Sequence, residues 1–397
     1  MKKNILFVME SLGIGGAEKS LVTLLSQFDY SKYEVDLFLF NPTGEFINLI
    51  PSEVNLLKTP EDFKNYISSP KDSIRYLCKL RNLKLLICKM IEVAVLIINK
   101  FLFHKEYIGW RYISQSIDVL PKEYDVAIGF LEKKSIYFTV DKVKSKKKVG
   151  WIHTDYKKIE FNYDLDKKYL SQLGEIVTVS SSCRNSFIEI FPELESRVRV
   201  IENFVSPQMI RNLAVEKENK IELKDNSLVI ATVARLTKAK NLFIIIEAMK
   251  ILRGKYKIKW FIVGDGELKK ELSDLISLND LNEEIILVGA KPNPYTFMNQ
   301  ADIYVQTSSW EGFGITVAEA KCLCKPIIVS NIPEFTTQIT HKKTGLVYSN
   351  LAELVNCIET LVSDSELKAN LSNNLKVEIH QEIKQITQLN NLLNRRD

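Results

Sequence analysis

The chain has 397 residues, 46% of them hydrophobic and 26% charged. That is too long for one ordinary core and too apolar for a disordered chain, so two packed domains are expected. Lys plus Arg number 54 against 49 Asp plus Glu, a net charge of +5 that is too mild to argue for nucleic acid. Met1-Lys2-Lys3 precedes only a short apolar run, which Glu10 ends, so a signal peptide is not expected. No stretch has the length of a membrane-spanning helix. The six Cys form no CxxC pair and read as reduced thiols in a cytoplasmic protein.

Residues 4–9 predict a buried strand. The loop Gly13-Ile14-Gly15-Gly16 follows, and residues 17–28 then carry Leu21, Leu24, Leu25 and Phe28 at helical spacing. Residues 33–40 are the next strand. Strand, glycine loop, helix and strand begin a parallel, doubly wound α/β sheet. More strands are predicted over 125–130, 147–152, 175–180 and 197–201. Near residue 228 the pattern restarts. Strands are expected at 228–234, 258–263, 285–288, 301–306 and 326–330, with helices at 242–252, 267–278 and 315–324. The polar segment 205–226 separates the halves, which gives domains 1–205 and 206–397. From Leu351 the chain reads as polar helix, and the last helices are expected to pack back on the first domain.

Residues 71–111 break this alternation and carry a net charge of +6. Leu80, Leu83, Ile87, Met90, Ala94, Ile97 and Phe101 recur at steps of three and four, one apolar stripe on a continuous helix. Lys79, Arg81, Lys84, Lys89 and Lys100 lie beside it, and 142–148 adds five Lys in seven residues. This insertion reads as a helix packed on its domain, as a membrane-surface helix, or as a protein-binding groove.

Three segments carry candidate chemistry. In the glycine loop, Glu18 stands where a dinucleotide fingerprint needs its third glycine. The loop is either a tight turn or an anion contact at a helix start. In 232–241, Arg235 and Lys240 flank a strand-to-helix turn, the place where parallel sheets bind ligands. An Arg fork and a Lys point charge there suit a diphosphate. In 308–320, Glu311 and Glu319 bracket Gly312 and Gly314 at the opening of a helix. Glycine lets backbone approach a ligand, and a helix N-terminus favours phosphate. His104, His153, His341 and His380 show no metal-ligand spacing. Asp164-Leu165-Asp166 reads as a solvated helix start.

Arg235 with Lys240, Gly264-Asp265-Gly266, Glu311 with Glu319, Thr344-Gly345-Leu346-Val347 and Gly15-Gly16-Ala17-Glu18 together resemble the retaining glycosyltransferases of family 4, the group 1 glycosyl transferases. The resemblance implies the GT-B arrangement, two Rossmann-like domains facing across a cleft. It also implies retaining sugar transfer from a nucleotide-sugar, UDP at family level, with neither metal nor cofactor. It gives Arg235 and Lys240 the donor diphosphate, Glu319 the ribose and Glu311 the transferred sugar. Backbone groups of Phe313, Gly314, Ile315 and Thr316 would contact sugar and phosphate, and Gly15 and Gly16 the phosphate. His153 would hydrogen-bond the sugar and stabilise charge. A lipid-linked or polysaccharide acceptor in capsule or exopolysaccharide synthesis follows, with the anionic inner face of the plasma membrane met through 71–111. Two departures stand out: Cys324 and Ala234 occupy places where the family commonly has Gly. A UDP-sugar epimerase of the same fold and a non-catalytic sugar-nucleotide-binding protein are the alternatives.

Overall fold

The alternating runs form two separate parallel sheets in the computed structural model, which describes residues 2–98, 105–159, 161–216, 221, 227–379 and 384–395. Lys100, Phe101, His104 and His380 lie outside the described residues. The described chain divides into two units, Met1–Phe204 with Gln385–Asp397, and Val205–Lys384.

The first unit holds β1 (Lys3–Met9), β2 (Tyr33–Leu39), β3 (Val54–Leu56), β4 (Glu123–Gly129), β5 (Lys144–Ile152), β6 (Glu175–Thr178) and β7 (Val198–Val200). Their order is β3-β2-β1-β4-β5-β6-β7, paired in parallel. Ile5, Leu6, Phe7 and Val8 are all fully buried. A strand covered by helices on both faces has no polar side, which is why β1 reads as an unbroken apolar run. The final helix, Lys384–Asn394, belongs to this unit through its C-terminus. Lys3 Nζ donates to the Leu393 carbonyl at 3.1 Å and Lys147 Nζ to the Leu392 carbonyl at 3.2 Å. Cations there satisfy carbonyls that have no partner inside the helix.

The second unit holds β8 (Leu228–Val233), β9 (Ile258–Val263), β10 (Ile285–Gly289), β11 (Ile303–Gln306), β12 (Ile327–Ser330) and β13 (Leu346–Tyr348), in the order β10-β9-β8-β11-β12-β13. Each sheet reverses its winding once, between β1 and β4 in the first and between β8 and β11 in the second. The crevice at the carboxyl ends of the strands on either side of such a reversal is where open α/β sheets take ligands.

Two expectations need correction. The stripe over 71–111 is not one continuous helix. Helices Pro70–Leu80 and Leu83–Ile98 are separate, because Arg81 adopts a left-handed φ of 54° and the Asn82 side chain accepts from the Leu85 amide at 3.2 Å, starting a new helix. Asp164 is exposed at the start of the helix Tyr163–Leu170, but Asp166 is not solvated. It is fully buried and accepts from the Tyr137 hydroxyl, and burial raises its pKa.

Candidate functional site

In the second unit, the loops leaving β8 and β11 are stitched together. The Ser309 amide donates to the Ala239 carbonyl at 2.8 Å, and Thr307 Oγ1 to the Lys240 carbonyl at 2.7 Å. This brings Lys240 Nζ to 2.6 Å from Glu311 Oε2. Glu311 Oε1 accepts from Ser308 Oγ at 2.7 Å, so both carboxylate oxygens are held. Ser308 is positioned in turn by Gln306 Nε2 at 3.1 Å, and Gln306 Oε1 accepts from the Tyr304 hydroxyl at 2.7 Å. The side chains of Lys240 and Glu311 are 19% and 12% exposed, enough for a ligand to reach them and little enough for their charges to act with weak screening.

Arg235 leaves the same strand end. It is exposed and forms no ion pair among the described residues. Its turn lies against the Gly264-Asp265-Gly266 turn: the Leu236 amide donates to the Asp265 carbonyl at 3.0 Å. A Cβ on Gly264, whose φ is +152°, would sit 1.9 Å from the Ala234 carbonyl oxygen. The glycine therefore sets the spacing of the two turns.

Gly314 caps the helix Ile315–Cys322 in left-handed backbone, φ 83° and ψ 54°. A side chain there would meet the Phe335 ring at 2.4 Å. Ile315 and Thr316 head this helix, where backbone amides have no intrahelical acceptor. Phe313 is buried. Glu319, one turn further on, is fully buried and accepts from the Tyr295 hydroxyl at 2.9 Å. Burial, and then the carboxylate, hold the Tyr295 pKa well above its ordinary value, so the phenol stays a donor. The structure thus joins Lys240 to Glu311 directly and gives Glu319 a different partner. Thr307, Ser308, Gln306 and Tyr295 were not singled out by the sequence; only Ser308 lies inside the 308–320 segment that was.

The first unit gathers a second polar cluster at its own strand ends. Gly15 precedes the helix Gly16–Ser26. Glu18 folds back so that its carboxylate would lie 2.1 Å from a Cβ on Gly15. The helix start thus already faces a carboxylate, which favours it as an anion would. Glu132, after β4, accepts from the His153 amide at 3.0 Å. Burial raises the Glu132 pKa, and the His153 amide opposes the shift. His153, after β5, packs against Phe130 with ring centroids 4.8 Å apart. Burial pulls its pKa from 6.5 to about 3, with Asn203 and the Phe130 backbone opposing. Among the described residues neither ring nitrogen reaches a hydrogen-bond partner within bonding geometry, and burial keeps the imidazole neutral. Glu132 and Asn203 carried no motif signal. They enter the cluster through loops far apart in sequence.

Residues 215–377 match the family described as Glycosyl transferases group 1. The O-antigen biosynthesis glycosyltransferase WclY of Escherichia coli is 32% identical over 126 residues, 32% of this chain and 35% of that protein. The N-acetylgalactosamine-N,N'-diacetylbacillosaminyl-diphospho-undecaprenol 4-alpha-N-acetylgalactosaminyltransferase of Campylobacter jejuni is 27% identical over 228 residues, 56% of this chain and 60% of that protein. The chain therefore spans less than two thirds of the length of these relatives. Across 99% of both chains, the fold is that of Anabaena HepE, solved in complex with UDP and glucose, at a TM-score of 0.68 and 18% identity. That likeness establishes the GT-B fold.

Proposed function

The chain carries a domain of the group 1 glycosyl transferase family in residues 215–377, and from that premise we propose that it is a retaining, metal-independent glycosyltransferase using a UDP-sugar donor. Its acceptor is a lipid-linked or polysaccharide intermediate of cell-surface glycan synthesis. The observation that carries this reading is the Lys240–Glu311 pair, held by Ser308 at the reversal of the second sheet. The names of the O-antigen and diphospho-undecaprenol relatives support the acceptor class.

The chemistry follows the charge. The bond from the anomeric carbon to the donor phosphate breaks, and one from that carbon to the acceptor oxygen forms. Negative charge grows on the departing diphosphate. Arg235, Lys240 and the amides heading Ile315–Cys322 stabilise it where it develops. Glu311 holds the transferred sugar by its hydroxyls, and Glu319 the ribose. The departing phosphate oxygen takes the acceptor proton, so bond breaking and making share one face and configuration is retained. A covalent Glu311 intermediate is disfavoured, because both of its oxygens are engaged by Lys240 and Ser308. His153, neutral near pH 7, offers the sugar a hydrogen bond rather than a charge.

The test is product analysis with a panel of UDP-sugars, with and without a lipid-linked acceptor. Transfer with retained configuration is expected. Epimerised sugar released without an acceptor, or binding without turnover, would replace this reading with one of its alternatives.

A further inference from the structure

β11 ends on a residue that its place in the sheet does not call for. The strand Ile303–Gln306 lies inside the second sheet, between β8 and β12, where parallel strands covered on both faces run apolar. Gln306 is nonetheless only 1% exposed, and Tyr304 and Ser308, two residues to either side, are fully buried. A buried amide and two buried hydroxyls cost free energy unless each is hydrogen-bonded. All of them are. The Tyr304 hydroxyl donates to Gln306 Oε1 at 2.7 Å, Gln306 Nε2 donates to Ser308 Oγ at 3.1 Å, and Ser308 Oγ donates to Glu311 Oε1 at 2.7 Å.

The direction of this chain is fixed from both ends. At one end Glu311 is paired with Lys240, and an ionised carboxylate only accepts, so Ser308 must donate to it. The Ser308 oxygen then accepts from the Gln306 amide nitrogen, which leaves the amide oxygen to accept in its turn. At the other end burial raises the Tyr304 pKa, so the phenol stays protonated and donates. Turning the amide over would set Gln306 Oε1 against the lone pairs of Ser308. Bonds aligned head to tail in this way strengthen one another in a low-dielectric interior.

A second hydroxyl reaches the same amide. Thr316 Oγ1 donates to Gln306 Oε1 at 3.4 Å, a longer contact than that of Tyr304. Thr316 belongs to the first turn of Ile315–Cys322, the helix whose leading amides receive the diphosphate in the reading above. Gln306 thus contacts the phosphate helix on one side and, through Ser308, the sugar carboxylate on the other. We propose that Gln306 is a positioning residue for sugar transfer. It holds Glu311 in register with the head of that helix, so that sugar and diphosphate are presented in one fixed relative geometry. The proposal rests on the assignment of Glu311 to the sugar and of the helix head to the phosphate. Gln306 is buried and acts through Ser308 and Thr316.

The test compares the wild type with Gln306→Met, which keeps the length of the side chain and removes its polar atoms. A second variant, Tyr304→Phe/Gln306→Met, also removes the phenol that the first change deprives of its acceptor. For each, Tm, Kd for UDP, and kcat and KM for a UDP-sugar that the wild type turns over are measured. Gln306→Met should lower kcat about tenfold while KM changes by less than about twofold. Its Kd for UDP should be unchanged and its Tm reduced. The double variant should regain Tm without regaining kcat, because stability and alignment are separate consequences of the residue. If the single variant does not fold, the double variant carries the same kinetic expectation. Wild-type kcat in either folded variant, or kcat that returns with Tm in the double one, overturns the proposal and leaves the glycosyltransferase reading standing. Loss of UDP affinity together with kcat also overturns it, since the defect then lies in the nucleotide site. Wild-type silence across all UDP-sugars defeats the reading itself and takes the proposal with it.

Discussion

The two polar clusters sit at comparable places, the carboxyl ends of parallel strands, yet they are built in opposite ways. In the second unit, opposite charges meet: Lys240 and Glu311 at 2.6 Å, with Ser308 completing the carboxylate. In the first unit, burial dominates. The His153 pKa falls to about 3 and that of Glu132 rises, and among the described residues the imidazole nitrogens have no partner in hydrogen-bonding geometry. A charged diphosphate calls for the first kind of site. A sugar or acceptor hydroxyl calls for the second, where neutral hydrogen-bonding groups shielded from water discriminate by leaving a polar atom unpaired when the wrong molecule binds.

The strongest way to break this contrast is at Lys240 and Glu311. Lys240→Met and Glu311→Gln should each reduce kcat by roughly a thousandfold with the fold intact by circular dichroism. If they act as a unit, the double variant should lose little beyond either single one. Additive losses would show two independent sites. In the other cluster, His153→Ala should lower kcat about a hundredfold.

His153 also predicts a stability signature. Its folded pKa lies below the unfolded one, so the unfolded chain binds the extra proton between about pH 6.5 and 3. The stability it allows is complete above pH 6.5 and falls as pH drops through that window. Urea unfolding of the wild type should therefore lose more stability than that of His153→Gln between pH 7 and the acid limit of reversible folding. Parallel profiles would contradict the burial of the imidazole. Smaller effects refine the contrast. Ser308→Ala removes a hydrogen bond to a carboxylate, worth about 1.5–3 kcal/mol, and leaves Gln306 Nε2 without its acceptor, so it should lower kcat/KM by roughly tenfold and lower Tm as well. Cys324→Gly should leave activity alone and raise stability by about 0.5–1 kcal/mol, because Cys324 holds a left-handed φ of 54°.

Cys324 shows what sequence conveys and what it hides. The family resemblance expects Gly at both 234 and 324. Ala234 keeps an ordinary negative φ, whereas Cys324 adopts the conformation that glycine would supply freely. One departure is harmless and the other strained, and only backbone geometry separates them. Long apolar runs such as β1 were legible because both faces are buried. The three-residue strands Val54–Leu56 and Leu346–Tyr348 are too short to show a period. The break at Arg81 was hidden because a non-glycine residue caps the helix, although Asn82 was a readable start signal. Lys240, Glu311 and Glu319 were legible because each lies in a short local motif. Ser308, Tyr295 and Glu132 were not, because their importance comes from contacts that folding creates: Tyr295 reaches Glu319 from another helix, and Glu132 reaches the His153 amide from the turn after β4.

The most direct test is release of UDP from a panel of UDP-sugars by the wild type, Lys240→Met and Glu311→Gln. The wild type should release UDP from at least one donor, accelerated by acceptor, while both folded variants release none above background. Wild-type silence across the panel, or variants that turn over at the wild-type rate, would contradict the central claim that this pair carries sugar transfer.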